Sequence, residues 1–123
     1  RMVHDMAAAL HRGETVAVFP EGTTGAGEQV LPFHANLLQA AIAVSAPIQP
    51  VALRYSEPGR RFAWSAQYID DTTLIASIWR VACAAGLRVE ITFLPAHGSA
   101  HADRRALAGA LQREIQQVLD RAA

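Results

Sequence analysis

Apolar and polar positions along the chain fall into two alternating rhythms. Val3, Met6, Ala7 and Leu10 recur at helical spacing ahead of Gly13, which predicts a helix over 3–10. Thr15-Val16-Ala17-Val18-Phe19 is a short, β-rich run that reads as a buried strand. Pro20 to Gly27 holds one proline, three glycines and two threonines, so a loop follows the strand.

The helical rhythm returns with Phe33, Leu37, Leu38, Ala41 and Ile42, with Pro32 suited to the first turn and Pro47 ending the segment. Ile48 to Tyr55 reads as a strand with Pro50 near its start, which implies an edge, a bulge or a first strand residue. Arg60 to Tyr68 alternates weakly, as a strand near the surface would. Asp70, Asp71, Thr72 and Thr73 are all N-cap residue types, ahead of a helix with Ile75, Ile78, Trp79 and Ala82 on one side and Gly86 at its end. Leu87, Val89, Ile91 and Phe93 alternate with Arg88, Glu90 and Thr92, predicting a half-buried strand. After a loop at Pro95–Ser99, Leu107, Leu111, Ile115, Val118 and Leu119 predict a final helix from about Asp103 to Arg121. Alternating helices and strands point to an α/β fold, a mostly parallel sheet flanked by helices.

Composition narrows the function. With 123 residues the chain supports one domain, and 51% hydrophobic residues give it a core. Eleven Lys+Arg balance eleven Asp+Glu, without the basic excess of a nucleic-acid binder. The single cysteine, Cys83, excludes an internal disulfide and reads as a small buried hydrophobe in a helix, as Trp79 reads as a packed aromatic. No apolar run approaches the ~18 residues of a membrane-spanning helix. The sequence opens at Arg1, which leads to the expectation that the fold is incomplete on its N-terminal side.

The candidate chemistry lies where the first strand ends. Ligands in open α/β sheets sit beyond strand ends. There Glu21 offers a carboxylate, Gly22 lets the backbone approach a ligand, and Thr23 and Thr24 offer hydroxyls. His34 and Pro50 are further pocket candidates. His97 and His101 resemble a metal pair by composition only, and nothing in the sequence calls for a metal or cofactor.

Phe19-Pro20-Glu21-Gly22-Thr23 resembles the third sequence block of the glycerolipid acyltransferases, the 1-acylglycerol-3-phosphate acyltransferases among them. Leu31-Pro32-Phe33 is similar to that block's continuation, and Ile48-Gln49-Pro50-Val51-Ala52-Leu53 to the fourth block. Asp71-Thr72-Thr73-Leu74, Ile78-Trp79-Arg80 and the strand from Leu87 look like the tail of bacterial members, so the resemblance covers nearly the whole chain.

That resemblance implies acyl transfer from acyl-CoA or acyl carrier protein to a lysophospholipid hydroxyl at the cytoplasmic face of a membrane. Residues 1–123 would form the C-terminal part of a single acyltransferase domain. Glu21, Gly22, Thr23 and Thr24 would bind substrate. Two departures qualify it. Thr24 stands where many members carry arginine, which removes a bidentate grip on phosphate. The family's catalytic His-x4-Asp is also absent. Five positions after His4, His11, His34, His97 and His101 stand Ala9, Val16, Gln39, Ala102 and Ala106. The chain alone is therefore expected to be inactive. The reading from another class is a non-catalytic lipid- or phosphate-binding α/β module.

Overall fold

The computed structural model describes residues 1–22, 29–59, 61–63 and 73–121. Helix α1 spans Met2–His11. A 3-10 turn at Ala35–Leu38 runs into the short helix α2, Gln39–Ala43. Strand β1 is Val51–Ser56, helix α3 Leu74–Cys83, strand β2 Arg88–Phe93 and helix α4 Arg104–Arg121.

Helix α4 organises the core. Asp103 caps its first turn, accepting from the Ala106 amide at 2.9 Å. Leu107, Ala108 and Leu111 then fall on one face and bury against Leu38, with Phe33, Ala35, Ile42, Ile48 and Ala102 around them. The expected second helix starts later than the Pro32 signal places it, because the first turn is 3-10 and only Gln39–Ala43 is α-helical. Ser99, fully buried, donates its hydroxyl to the carbonyl of Ala41 in that helix, at 3.1 Å, and to that of Ala46 beyond its end.

The described strands form a mixed α/β arrangement with a two-stranded antiparallel sheet, Val51 opposite Phe93 through Ser56 opposite Arg88. This differs from the mainly parallel pairing that the order of elements predicts. The only strands that meet among the described residues run in opposite directions, and an isolated antiparallel bridge between Ile48 and His97 extends their pairing. Pro50 sits between bridge and strand, buried, where its missing N–H costs no ladder bond and its carbonyl accepts from the Leu94 amide at 3.0 Å.

Residues 15–19 belong to no helix or ladder, and Phe19 is 79% exposed, so the buried strand expected there is not formed. A strand needs a neighbour for its N–H and C=O groups, and no described strand lies against it. β2 forms where expected, yet all six of its residues are exposed rather than half of them. Helix α3 also forms, capped by Thr73, whose Oγ1 accepts from the Ala76 amide at 3.1 Å. Its Trp79 and Cys83 are exposed, not packed as the sequence predicts. Most of the expected strand at 60–68, together with Asp70 and Asp71, lies outside the described residues. Among the described residues no helix is long and apolar enough to cross a membrane.

Candidate active-site loop

The candidate loop starts with a tight turn. The Gly22 amide donates to the Phe19 carbonyl at 3.1 Å, with Pro20 in the position whose φ a proline presets. Gly22 has φ +71°, and a Cβ there would stand 2.8 Å from Cδ2 and Nε2 of the His34 ring. The left-handed backbone thus favours glycine, and the imidazole would have to shift to admit a Cβ. His34 is fastened in turn, its amide donating to the Pro20 carbonyl at 2.8 Å.

Glu21 is committed to the loop's own shape. Its Oε2 accepts from the Leu31 amide at 2.9 Å, pinning residue 31 next to the turn. Val30 is gripped from the other side by α4. Its amide donates to Oε1 of Gln116 at 2.6 Å, and its carbonyl accepts from Nε2 of Gln112 at 2.8 Å. Gln112 and Gln116 lie one helical turn apart on the same face of α4. Beside them a groove of about 500 Å³ is lined by Gln29, Val30, Phe62, Gln116 and Asp120.

The structure therefore brings Glu21, Gly22 and His34 together. Thr23 and Thr24 lie outside the described residues. Pro50 takes part in a separate set of contacts at the start of β1, through Leu94. Sequence reasoning missed Val30, Gln112 and Gln116. The available signal was a pair of glutamines at i, i+4 on the polar side of an otherwise apolar-striped helix. His97 is held by Glu114, Nε2 to Oε2 at 2.7 Å, which ties the loop after β2 to α4. The resolved shifts in protonation belong to an exposed surface pair, in which the Arg12 guanidinium holds the Glu14 carboxyl below the usual carboxylate range and is itself raised.

Chemically, the loop presents an exposed imidazole over a glycine and a carboxylate engaged with a backbone amide. Such a turn can position a polar substrate group. The Acyltransferase family model matches residues 1–54, a span that contains Phe19, Glu21, Gly22 and His34. The chain is similar over most of its length to curated acyltransferases. It is 34% identical over 114 residues to a lyso-ornithine lipid O-acyltransferase of Pseudomonas aeruginosa, covering 93% of this chain and 44% of the relative. It is 36% identical over 112 residues to a 1-acyl-sn-glycerol-3-phosphate acyltransferase of Neisseria gonorrhoeae, covering 89% and 43%. A lyso-ornithine lipid O-acyltransferase of Brucella abortus is 30% identical over 132 residues, covering 96% and 49%. The chain spans less than half the length of these curated acyltransferases. No solved structure matches it.

Proposed function

We propose that the protein transfers a fatty acyl group from an acyl thioester, acyl-CoA or acyl carrier protein, to the free hydroxyl of a lysolipid. In this reaction the hydroxyl oxygen attacks the thioester carbonyl, the C–S bond breaks and an ester C–O bond forms. The hydroxyl proton passes to a base and then to the leaving thiolate. The observation that carries this reading is the folded Phe19–Gly22 turn with His34 on it, inside the segment matched by the family model. The loop's part is to hold the acceptor, with Gly22 admitting it to the backbone and Glu21 fixing the loop's exit at Leu31. Thr23 and Thr24 belong to the same proposed acceptor site, with His34 at its edge and Pro50 shaping the sheet behind it.

The base is assigned to a His-x4-Asp pair outside these residues. The two named acceptor classes among the relatives, a lyso-ornithine lipid and a 1-acylglycerol 3-phosphate, differ in head-group charge, and Thr24 in place of arginine favours the less phosphate-dependent one. The protein works at the cytoplasmic surface of a membrane in this reading. The antiparallel pair β1–β2 becomes the margin of a larger, mostly parallel sheet to which residues 15–19 contribute.

The test is a transfer assay on the whole protein with labelled acyl-CoA or acyl carrier protein and each acceptor in turn. Esterified product is expected, with Glu21→Ala raising KM for the acceptor more than for the donor. Lipid binding without any product would favour the non-catalytic module.

A further inference from the structure

A polar stripe of α4 reaches the turn that carries Glu21. Gln112, Gln116 and Asp120 stand at i, i+4 and i+8, each one position beyond Leu111, Ile115 and Leu119, so the stripe borders the core. Both glutamines are half-buried. Their partners fix which way each amide points. The Asp120 carboxylate accepts only, and its Oδ1 takes Nε2 of Gln116 at 3.0 Å. That leaves Oε1 of Gln116 for the Val30 amide, at 2.6 Å. The Val30 carbonyl also accepts only, so Gln112 presents its Nε2 there, at 2.8 Å.

The peptide between Val30 and Leu31 is trans, so its C=O and N–H point in opposite directions. The C=O accepts from Gln112, and the N–H donates to Oε2 of Glu21 at 2.9 Å. One rigid peptide plane therefore stands between an amide of α4 and the carboxylate of the turn. Each hydrogen bond polarises the group that makes the next, so the three groups act as a chain. A glutamate has several side-chain torsions, and fixing them before a ligand binds removes an entropic cost from binding. Here Oε2 is engaged by Leu31, while Oε1 has no hydrogen-bond partner among the described residues.

We propose that Gln112 is a positioning residue for the acceptor site. Through the Val30–Leu31 peptide it holds the Glu21 carboxylate so that Oε1 meets a hydroxyl of the lysolipid. Gln116, itself oriented by Asp120, holds Val30 through its amide. The idea rests on the acyltransferase reading, and it adds to that reading a residue outside the segment matched by the family model. Isosteric substitutions separate positioning from packing. Gln112→Glu keeps size and shape but sets a carboxylate oxygen against the Val30 carbonyl. Gln116→Glu keeps an acceptor for the Val30 amide but sets two carboxylates together, and Asp120→Asn beside it supplies the missing donor.

The experiment uses the whole protein, with labelled acyl-CoA or acyl carrier protein as donor. A 1-acylglycerol 3-phosphate and a lyso-ornithine lipid serve as acceptor probes. Gln112→Glu should raise the acceptor KM about tenfold, on the scale of one lost hydrogen bond, with the donor KM unchanged. Gln117→Glu, at an exposed position of α4, is the control for charge and should change neither. Gln116→Glu should raise the acceptor KM, and adding Asp120→Asn should bring it back. In the Glu21→Ala background Gln112→Glu should add nothing, because both act on one carboxylate. Should Gln112→Glu fail to fold, Gln112→Met, similar in length and without a donor, makes the same comparison. The NMR resonance of the Leu31 amide proton reports the bond to Glu21 directly. It should move in Gln112→Glu and Glu21→Ala and stay in place in Gln117→Glu. An unmoved Leu31 resonance in Gln112→Glu would overturn the relay whatever the turnover. Additive effects of Gln112→Glu and Glu21→Ala, or equal rises in both KM values, would overturn the positioning role and leave Gln112 a packing residue. Absence of turnover by the unsubstituted protein with both acceptors would overturn the acyltransferase reading and leave the Leu31 resonance to decide the relay.

Discussion

The two faces of the β1–β2 ribbon carry opposite fates on the same backbone. Ala52 and Arg54 point to the side that α4 covers, and both are buried, Arg54 held by Glu90 opposite it at 2.6 Å. One residue along, Leu53 and Tyr55 face the other way with Val89, Ile91 and Phe93, and all five are exposed, Phe93 by 69%. The larger apolar side chains thus stand on the open side, and the smaller and charged ones on the covered side. Alternation assigns residues to two faces with confidence, but which face becomes the interior is decided by what lies against it. Here α4 lies against the face with less apolar surface to offer.

Mutations of equal size on the two sides should separate. Leu111→Ala, in the α4 core, is expected to cost about 2–5 kcal/mol in urea denaturation. Ile91→Ala, on the open face, should stay within about 0.5 kcal/mol, as surface substitutions do. Equal losses at the two positions would show that the open face is covered in the working protein.

The loop sharpens the same contrast, because it too is anchored to α4. Gly22→Ala is expected to cost about 1–2 kcal/mol from its left-handed backbone alone. The contact with His34 adds to this, so His34→Ala in the Gly22→Ala background should restore part of the loss. A double variant no more stable than Gly22→Ala would remove the imidazole from the argument.

The smallest effects compare two helix caps of the same kind. Asp103→Ala should cost about 1 kcal/mol of global stability, since α4 carries the core. Thr73→Ala removes an equivalent hydrogen bond from α3, which packs little against the body. Its loss should appear as faster amide exchange within Leu74–Cys83, with the denaturation midpoint unmoved. A shift of the midpoint equal to that of Asp103→Ala would place α3 inside the cooperative unit.

Legibility followed the same division. The final helix was readable because its five apolar positions and the Asp103 cap agree on one register. The turn at Pro20–Gly22 was readable because proline and glycine act through their own backbones. The antiparallel direction of β1 and β2 was not, since strand order along a chain does not fix the sense of pairing. The exposed state of Trp79 and Cys83 was missed because helical spacing identifies a stripe without naming its cover. Within the site, Gly22 and His34 were singled out separately, but their contact arises only when the Pro20 carbonyl captures the His34 amide. The grip of Gln112 and Gln116 on Val30 was invisible for another reason. Polar residues on a helix are ordinarily solvated, and only the fold brings these two to a segment more than eighty positions upstream.

That grip also dates the loop. Residues 30 and 116 meet across a separation of 86 positions, and residues 30 and 112 across 82. Contacts of such range must overcome the entropy of closing a long chain segment before they return anything. During synthesis the early part of a chain emerges first and waits for the rest. The turn at Phe19–Gly22 can form from its own residues as it leaves the ribosome, but the hold on Val30 exists only after α4 has been made and has docked. The motif is written near the beginning of this sequence, and its geometry is completed at the end.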